Sequence, residues 1–372
     1  MEAAAPPPPP APRLIDSSIG GSPIDSPIDS PVDSPSRSLA KEHSYSKLLS
    51  LRQLSADHHA PSQAAANRAL PELPSSLDFY RRFVSKSRPG KFKLPRELQE
   101  ALGPLSSLES LQELLGDRPI KVNVTPEHGL GDALFPKPGR ANDDRANDDP
   151  AELLFVEPQE QEMTFKEFAE HLRPGGTGPE RVYYLSSQND NLHGDLSALL
   201  DVVPRTLPFA QEAFGAGPPE AVNLWVGDGR AVTTMHRDPF ENVYLVLEGT
   251  KTFVLVPPYM GGALYQGFYR RARWRLDGGE DRIEEDEDRT RSVRWVGVDV
   301  EEDRGKEEYP LLDAVEPITI DVHAGEMLYL PSMWFHKVKS SGVSISVNFW
   351  FDMAFDTPNY VLSEWANAVF DE

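Results

Sequence analysis

Residues 223–258 read NLWVGDGRAVTTMHRDPFENVYLVLEGTKTFVLVPP. Three apolar, β-branched runs occur within or beside this stretch, at 221–226, 243–247 and 252–256, and residues such as Gly and Asp separate them. Short runs of this kind, separated by turn residues, indicate consecutive strands of an all-β core. The stretch therefore predicts the centre of a mainly β fold.

A histidine and a carboxylate, His236 and Asp238, lie between the first two runs and are two residues apart. In an extended segment, residues i and i+2 project from the same face, so both side chains can point into one cavity. The interior of a β-barrel is usually apolar, and a polar group there needs a partner. A metal ion is the simplest partner, although an H-x-D tripeptide alone is weak evidence for one.

A third ligand has to come from elsewhere among the nine histidines of the chain. Only His323 and His336 lie in a later strand-rich block, 318–351. His323 precedes a turn and is predicted to face solvent, whereas His336 follows an apolar and aromatic segment in which a lone imidazole would be costly. His236, Asp238 and His336 together would form the two-histidine, one-carboxylate triad of non-haem iron(II) sites.

Several motifs follow one another in a fixed order along the chain. They are AVTTMHRD at 231–238, Glu-Asn at 241–242, Pro-Pro at 257–258, AGEMLYLP at 324–331 and VNFWFDM at 347–353. Together they resemble the JmjC oxygenases of the cupin-eight group, and most closely a subgroup that combines lysyl hydroxylase and peptidase activities. The resemblance runs from about 77 to 355 and implies a double-stranded β-helix (jelly-roll or cupin) core with flanking α-helices.

The same resemblance implies the cofactors Fe(II), 2-oxoglutarate and O2, with His236, Asp238 and His336 as the catalytic metal ligands. It also assigns Lys251 to the distal carboxylate of 2-oxoglutarate, with Thr233 and Tyr184 as hydroxyl donors to that carboxylate. Asn242 and Asn348 are assigned as cavity amides, and Trp350 as an aromatic wall. Two alternatives stay open, since Lys251 could be a surface residue of a hairpin at 248–251, and Trp350 could belong to the plain core.

The chain departs from the family pattern after Arg88 and Pro89. Relatives continue there with a hydrophobic strand and a Trp-Pro turn, whereas this chain continues with GKFK at 90–93 and a Pro- and Leu-rich stretch at 94–115. The sequence therefore predicts that part of the usual sheet edge is missing.

Composition shifts divide the chain into four parts. Residues 1–43 are rich in Pro and Ser, with a proline in every fourth position at 23–35, and such spacing predicts a disordered tail because it prevents helices and sheet ladders. An N-terminal support region of helices and strands is predicted for 44–176, the JmjC β-helix for 177–355 and a C-terminal helix for 356–372.

An acidic insertion at 277–309 is predicted to interrupt the β-helix. It contains fourteen acidic and six basic residues. Charge runs of this kind are usually solvated loops, which is the first interpretation. The second is a rim loop that attracts a Lys- or Arg-rich substrate. The Arg-rich segment 270–275 is expected to be neutralised by this acidic neighbour rather than to bind nucleic acid.

The overall composition excludes several classes of protein. The chain has 37 basic and 59 acidic residues, a formal net charge of −22, so direct nucleic-acid binding is not expected. It has no Cys, which excludes disulfides and thiolate metal sites and fits a cytoplasmic or nuclear location. The start, MEAAAPPPPP, lacks the features of a secretory signal, and no apolar run is long enough to suggest a membrane span.

The resemblance implies a 2-oxoglutarate-dependent protein hydroxylase whose partner is a protein with a target lysine, such as a translation-associated GTPase. The alternatives are a demethylase or peptidase acting on histone tails, and a non-catalytic cupin scaffold. A kinase is excluded because the position seven residues after His236 is Val243 rather than Asn, and no Gly-rich loop or DFG segment is present.

The C-terminal helix is expected at 360–370 and places four apolar residues near one face: Leu362, Trp365, Ala366 and Val369. An apolar face at a chain end either packs on the barrel or forms an interface between copies. Because the family resemblance adds that relatives often dimerise here, we expect a homodimer through this helix.

Overall fold

The computed structural model describes residues 72–138, 152–173, 181–276 and 281–370, apart from 187, 189 and 289, together with a few isolated positions before residue 71. The predicted tail, 1–43, lies outside the described residues. The strands are β1 (Gly90–Lys93), β2 (Pro119–Pro126), β3 (Leu130–Gly131), β4 (Ala133–Pro136), β5 (Leu153–Glu157), β6 (Gln159–Thr164), β7 (Arg181–Leu185), β8 (Ala221–Gly227), β9 (Val232–His236), β10 (Phe240–Val256), β11 (Gly267–Arg275), β12 (Arg282–Glu285), β13 (Ser292–Trp295), β14 (Ile318–His323), β15 (Glu326–Leu330) and β16 (Phe335–Asp352). The α-helices are α1 (Ser76–Arg82), α2 (Arg96–Leu102), α3 (Leu108–Leu115), α4 (Phe165–His171), α5 (Pro208–Phe214) and α6 (Pro358–Phe370).

Two long antiparallel strands, β10 and β16, form the centre of the larger sheet. The first half of β10, 242–246, lies between β15 and β16, whereas its second half, 250–255, lies between β14 and β16. A strand that changes neighbours at a bend carries the sheet from one layer into a second layer, which is the geometry of a double-stranded β-helix. Side chains of both layers, such as Tyr244, Phe253 and Leu328, are buried together in the interior.

The bend of β10 lies at Glu248 and Gly249, where the pairing register shifts twice. Gly249 has φ +73°, a backbone conformation that glycine adopts without steric cost. The sequence prediction of separate strands at 243–247 and 252–256 is wrong in this respect. The residues between them form a bulge within one strand, because the hydrogen bonds to β16 continue on both sides of the bend.

The predicted gap at the sheet edge is also wrong. GKFK at 90–93 forms β1 itself and pairs antiparallel with β15. Phe92 is fully buried, and Lys93 contacts Glu326 on the neighbouring strand at 3.1 Å. An edge strand needs only one apolar face, so this short segment is sufficient to form the edge of the sheet. The stretch after it folds into α2 and α3.

Helices cover the outer face of the large sheet. The ring of Phe79 in α1 is fully buried and lies 5.5 Å from the ring of Phe209 in α5 and 5.1 Å from that of Tyr329 in β15. These contacts fix the N-terminal region on the back of the sheet and leave the interior of the β-helix to the site described below.

A smaller five-stranded sheet contains part of the acidic insertion. β12 and β13 both pair with β11, which in turn pairs with β5. The prediction of a solvated loop at 277–309 is therefore wrong for these two segments. Arg275 and Arg270 form ion pairs with Glu284 and Glu285 of the insertion, as expected, while Arg271 pairs instead with Glu157 of β5.

The C-terminal helix α6 packs against the turn Pro258–Leu264. Ala366 is buried, whereas Leu362 and Trp365 are 61% and 64% exposed. The four apolar residues predicted near one face therefore do not share a single buried face. None of the helices in the described ranges is long and apolar enough to cross a membrane.

The lack of space around Gly249 allows the steric role of the bend to be tested by substitution. A Cβ atom at this position would lie 2.3 Å from the carbonyl oxygen of Val343, in addition to the steric cost of a positive φ. We expect Gly249→Ala to lower the free energy of unfolding by about 2 kcal/mol or more. Gly325→Ala is the matched control, because Gly325 has φ +81° with no atom within 4 Å of its Cβ position, and it should cost only about 1 kcal/mol. Equal losses in chemical denaturation would contradict the steric role of the bend.

Candidate metal centre

The three predicted ligands meet across two paired strands. His236 ends β9 and lies directly opposite His336 of β16, and Asp238 follows in the turn after β9. Ligand atoms of the three side chains lie within 4.8 Å of one another. The side chains of His236, Asp238 and His336 are 10%, 19% and 6% exposed, so the cluster sits inside the β-helix near an opening.

Both imidazoles are held in the orientation that metal coordination requires. Nδ1 of His236 lies 2.8 Å from the carbonyl oxygen of Thr234, and Nδ1 of His336 lies 2.9 Å from that of Trp334. A carbonyl can only accept a hydrogen bond, so each Nδ1 carries the proton and each Nε2 presents a lone pair. These Nε2 atoms lie 3.6 and 3.5 Å from Oδ2 of Asp238, too far for good hydrogen bonds. A divalent metal fits this donor set.

The electrostatics of the cluster favour the ligand forms of Asp238 and His336. Burial, reinforced by the neighbouring His236, lowers the pKa of His336 to about 4, so this imidazole is neutral. Burial raises the pKa of Asp238, but the two histidines outweigh it and keep the pKa of the carboxyl below its ordinary value. Burial lowers the pKa of His236, yet Asp238 more than offsets this effect and raises it. The raised pKa favours a proton on His236, and a bound metal would compete with this proton for the imidazole.

Hydrogen bonds fix the turns that carry the ligands. Glu241 accepts from the hydroxyl groups of Tyr329 at 2.6 Å and Ser332 at 2.9 Å, which ties β10 to the turn before His336. The backbone N–H of Met333 donates to the carbonyl oxygen of Asp238 at 2.9 Å. The turn after β9 and the turn before β16 are therefore held against each other.

Arg237, between two of the ligands, has a different role. Its guanidinium donates to Glu364 of α6 at 2.5 Å and lies 5.3 Å from the ring centroid of Phe335. It therefore connects the ligand turn to the C-terminal helix. Sequence analysis did not find this contact, because nothing in the sequence relates positions 127 residues apart.

The acidic insertion contributes an aromatic cover to the cluster. The ring of Trp295, at the end of β13, is nearly parallel to that of His236, at an interplanar angle of 2° and a centroid distance of 5.7 Å. Its Nε1 donates to the hydroxyl of Thr234 at 3.2 Å. Sequence analysis missed Trp295, and no sequence signal distinguishes it from other tryptophans.

A pocket of about 380 Å³ contains the three ligands. Five of the other residues predicted for the site line it: Tyr184, Thr233, Asn242, Asn348 and Trp350. Trp350 stacks on Phe240 with centroids 5.0 Å apart, and its buried Nε1 has no hydrogen-bond partner among the described residues. It is thus a wall of the pocket rather than plain core.

Lys251, on the second half of β10, lies behind Tyr184, which lines this pocket. It is only 1% exposed, so the alternative of a surface residue is wrong. Its Nζ donates to the hydroxyl of Tyr184 at 3.0 Å and to that of Ser340 at 2.8 Å. Burial lowers the pKa of the amine to about 7. A buried amine with two neutral partners and no carboxylate is suited to binding an anion.

The two predicted cavity amides belong to a hydrogen-bonded chain. Asn348 donates to Asn242 at 3.2 Å, and its own side-chain oxygen accepts from Asn223 at 3.3 Å and from Nε1 of Trp225 at 2.9 Å. Asn348 is fully buried, so its orientation is fixed by these partners. Sequence analysis missed Asn223 and Trp225, as well as Ser340, although all three lie on strands that pair with predicted site strands.

Comparisons with known proteins agree with this geometry. The profile of the cupin-like domain family, cupin-8, matches residues 76–357. JmjC domain-containing protein E of Dictyostelium discoideum is 34% identical over 78% of this chain and 85% of its own. Lysine-specific demethylase JMJ32 of Arabidopsis thaliana is 34% identical over 76% of this chain and 81% of its own. The bifunctional peptidase and (3S)-lysyl hydroxylase JMJD7 of Homo sapiens is 33% identical over 77% of this chain and 84% of its own.

JmjC proteins generally use Fe(II) and 2-oxoglutarate, and the hydroxylases and demethylases among them are 2-oxoglutarate oxygenases. The family match covers most of the described chain and includes all three candidate ligands. The chain therefore belongs to the cupin-8 family of JmjC-domain proteins.

Proposed function

We propose that this protein is an Fe(II)- and 2-oxoglutarate-dependent hydroxylase of lysyl side chains in a protein substrate. The observation that carries the proposal is that a metal-ligand cluster and a buried amine lie close together inside the β-helix. Two oriented imidazoles and Asp238 lie at one place, and an unneutralised amine, Lys251, lies beside the same pocket. A relative named as a lysyl hydroxylase, 33% identical over 77% of this chain, supports the choice of lysine.

Each part of the pocket then has a task. His236, Asp238 and His336 would hold Fe(II), which with 2-oxoglutarate and O2 supplies the oxidising chemistry when bound. Lys251 would bind the distal carboxylate of 2-oxoglutarate, assisted by the hydroxyl groups of Tyr184 and Thr233.

The remaining residues orient the cosubstrate and keep water out. The chain of amides ending in Asn242 and Asn348 offers fixed polar groups beside the ligands. Trp350 closes one wall of the pocket. Exclusion of water strengthens every electrostatic contact inside the pocket, including that of Lys251.

A demethylase is the second candidate, because JMJ32, at 34% identity, is named as one. A histone-tail peptidase has weaker support, since the sequence has no Cys and no HExxH motif, although JMJD7 is named as bifunctional. A non-catalytic scaffold is disfavoured, because it gives no reason to bury the Lys251 amine without a counter-ion. The net charge of −22 favours a basic substrate segment, and a translation-associated GTPase is our proposed partner.

The proposal is tested by turnover of 2-oxoglutarate. Protein reconstituted with Fe(II) should form succinate, faster in the presence of lysine-containing GTPase peptides, and those peptides should gain the mass of one oxygen atom. His236→Ala should remove both signals, since a metal ligand is lost. Loss of methyl groups from methyl-lysine peptides without oxygen gain would favour the demethylase instead. Absence of turnover in folded, iron-loaded protein would favour the non-catalytic scaffold.

Proton uptake tests the assignment of Lys251. Because the amine has a pKa of about 7 when it has no anionic partner, it is mostly neutral at pH 8, and binding of a carboxylate should restore its charge. Titration calorimetry in buffers of different ionisation enthalpy should therefore detect uptake of about one proton per 2-oxoglutarate.

Lys251→Met should abolish this uptake and weaken 2-oxoglutarate binding by about 10- to 100-fold, as expected for a hydrogen bond to a charged group. Lys339→Met is the matched control, because this lysine lies on β16 with a 37% exposed side chain paired to Glu301. Unchanged uptake in Lys251→Met would rule out the assignment.

We also propose that α6 forms the contact of a homodimer. Val361, Leu362 and Trp365 are 56%, 61% and 64% exposed, and three apolar side chains on one short helix form a patch suited to a second copy. Light scattering should give twice the monomer mass for the wild type and the monomer mass for Trp365→Glu. A monomeric wild type at micromolar concentration would contradict this contact.

A further inference from the structure

A second pocket adjoins the candidate metal centre, and apart from Tyr184 and Thr233 its lining residues have no role in the function proposed above. It has about 410 Å³ of space, part of which is open to solvent, and it shares the walls formed by Tyr184, Gln188, Trp225 and Thr233 with the pocket of the metal ligands. The two pockets are therefore neighbours with a common boundary, and a side chain that enters one comes close to the other.

This second pocket contains a carboxylate without a partner. Asp132 lines it, and among the described residues its carboxyl group has no hydrogen bond or ion pair. Two basic groups act on it electrostatically, His236 and Arg271, and Arg271 is itself bound to Glu157 at 2.6 Å. Burial, together with Glu157, raises the pKa of Asp132 to about 6, while His236 and Arg271 act in the opposite direction, and a cation in the pocket would stabilise the charged form of this carboxyl.

A second polar group in the same pocket is also unsatisfied. Thr125, on β2, is only 5% exposed, and its buried hydroxyl has no hydrogen-bond partner in the part of the chain that the structure describes. Asn123 and Ser186, which are hydrogen-bonded to each other at 2.9 Å, line the pocket as well. Carboxylate, hydroxyl and amide oxygens are the acceptors that an ammonium group, with three donors, requires.

Strand pairing and one hydrogen bond connect Asp132 to β9, the strand that carries His236. β3 runs parallel to β9, with Gly131 opposite Thr233, and the hydroxyl of Thr234 donates to the carbonyl oxygen of Asp132 at 2.5 Å. The same Thr234 accepts from His236 through its own carbonyl. Asp132 has φ +52°, a left-handed conformation that Asp and Asn tolerate better than most residues. Asp132 is therefore connected to the metal ligand His236 through one residue, Thr234.

We propose that Asp132 is the substrate-binding residue that recognises the ammonium group of the target lysine, with Thr125 as a second acceptor. A lysine that lies across the shared boundary would place its aliphatic carbons near the metal ligands and its ammonium group in the second pocket. This inference rests on the proposed function, because it requires the reacting carbon to lie beside the metal. It assigns selectivity for a cationic side chain to one carboxylate.

The test compares peptide binding without turnover. Protein loaded with Mn(II) and 2-oxoglutarate is titrated with a fluorescent pool of short peptides, in which a central lysine is flanked by uncharged residues, and with the same pool carrying norleucine instead. Wild type should prefer the lysine pool by about tenfold, the value of one hydrogen bond to a charged group. Asp132→Asn, which tolerates the left-handed backbone, should bind both pools alike.

Two further variants separate recognition of the lysine ammonium group from a general effect of removing a negative charge. Asp132→Glu keeps the charge and should retain part of the preference, and Glu162→Gln, which removes an exposed acidic residue of β6, should retain all of it. A lysine preference that persists in Asp132→Asn, or that is absent in wild type with Mn(II) and 2-oxoglutarate bound, overturns this inference alone. Failure of the wild type to bind Mn(II) or 2-oxoglutarate overturns the proposed function and this inference with it.

Discussion

The structure depends on the pairing of His236 with His336 across β9 and β16. Each imidazole donates from Nδ1 to the carbonyl two residues before it, so the same local geometry occurs twice, on two antiparallel strands. This leaves two Nε2 lone pairs and the Asp238 carboxylate facing one another at distances that no hydrogen bond satisfies. Three ligand groups held inside a β-helix without partners are costly unless something binds between them.

The two long strands transmit this constraint to the rest of the pocket. β10 and β16 pair on both sides of the bend, and the register that sets Leu255 opposite His336 also sets Lys251 opposite Ser340. The position of the amine is therefore four residues, or two side-chain repeats, along the strand from that of His336, on the same interior side. The bend at Gly249 is what allows one strand to supply Asn242 to the first layer and Lys251 to the second. The small sheet then closes the cluster from outside by stacking Trp295 on His236.

Much of this arrangement could be predicted from local sequence. The H-x-D spacing gives two ligands on one face, and His336 stands out because a lone imidazole in an apolar segment needs a partner. The bent strand could not be predicted, since Glu248 and Gly249 are as typical of a turn as of a bulge. The edge strand was missed because it has only one apolar side chain facing the core, Phe92. Trp295 and Asp132 depend on contacts between distant segments, and no local pattern marks such residues.

The central claim is that the triad and Lys251 form one site for a metal and a dicarboxylate. A crystal of the protein grown with Mn(II) and 2-oxoglutarate, measured at the manganese absorption edge, tests it most directly. The account predicts one strong anomalous peak bonded by Nε2 of His236, Nε2 of His336 and a carboxylate oxygen of Asp238, with one end of 2-oxoglutarate on Lys251. An anomalous map without a peak among these three residues, from crystals in which Mn(II) is bound elsewhere, would contradict it.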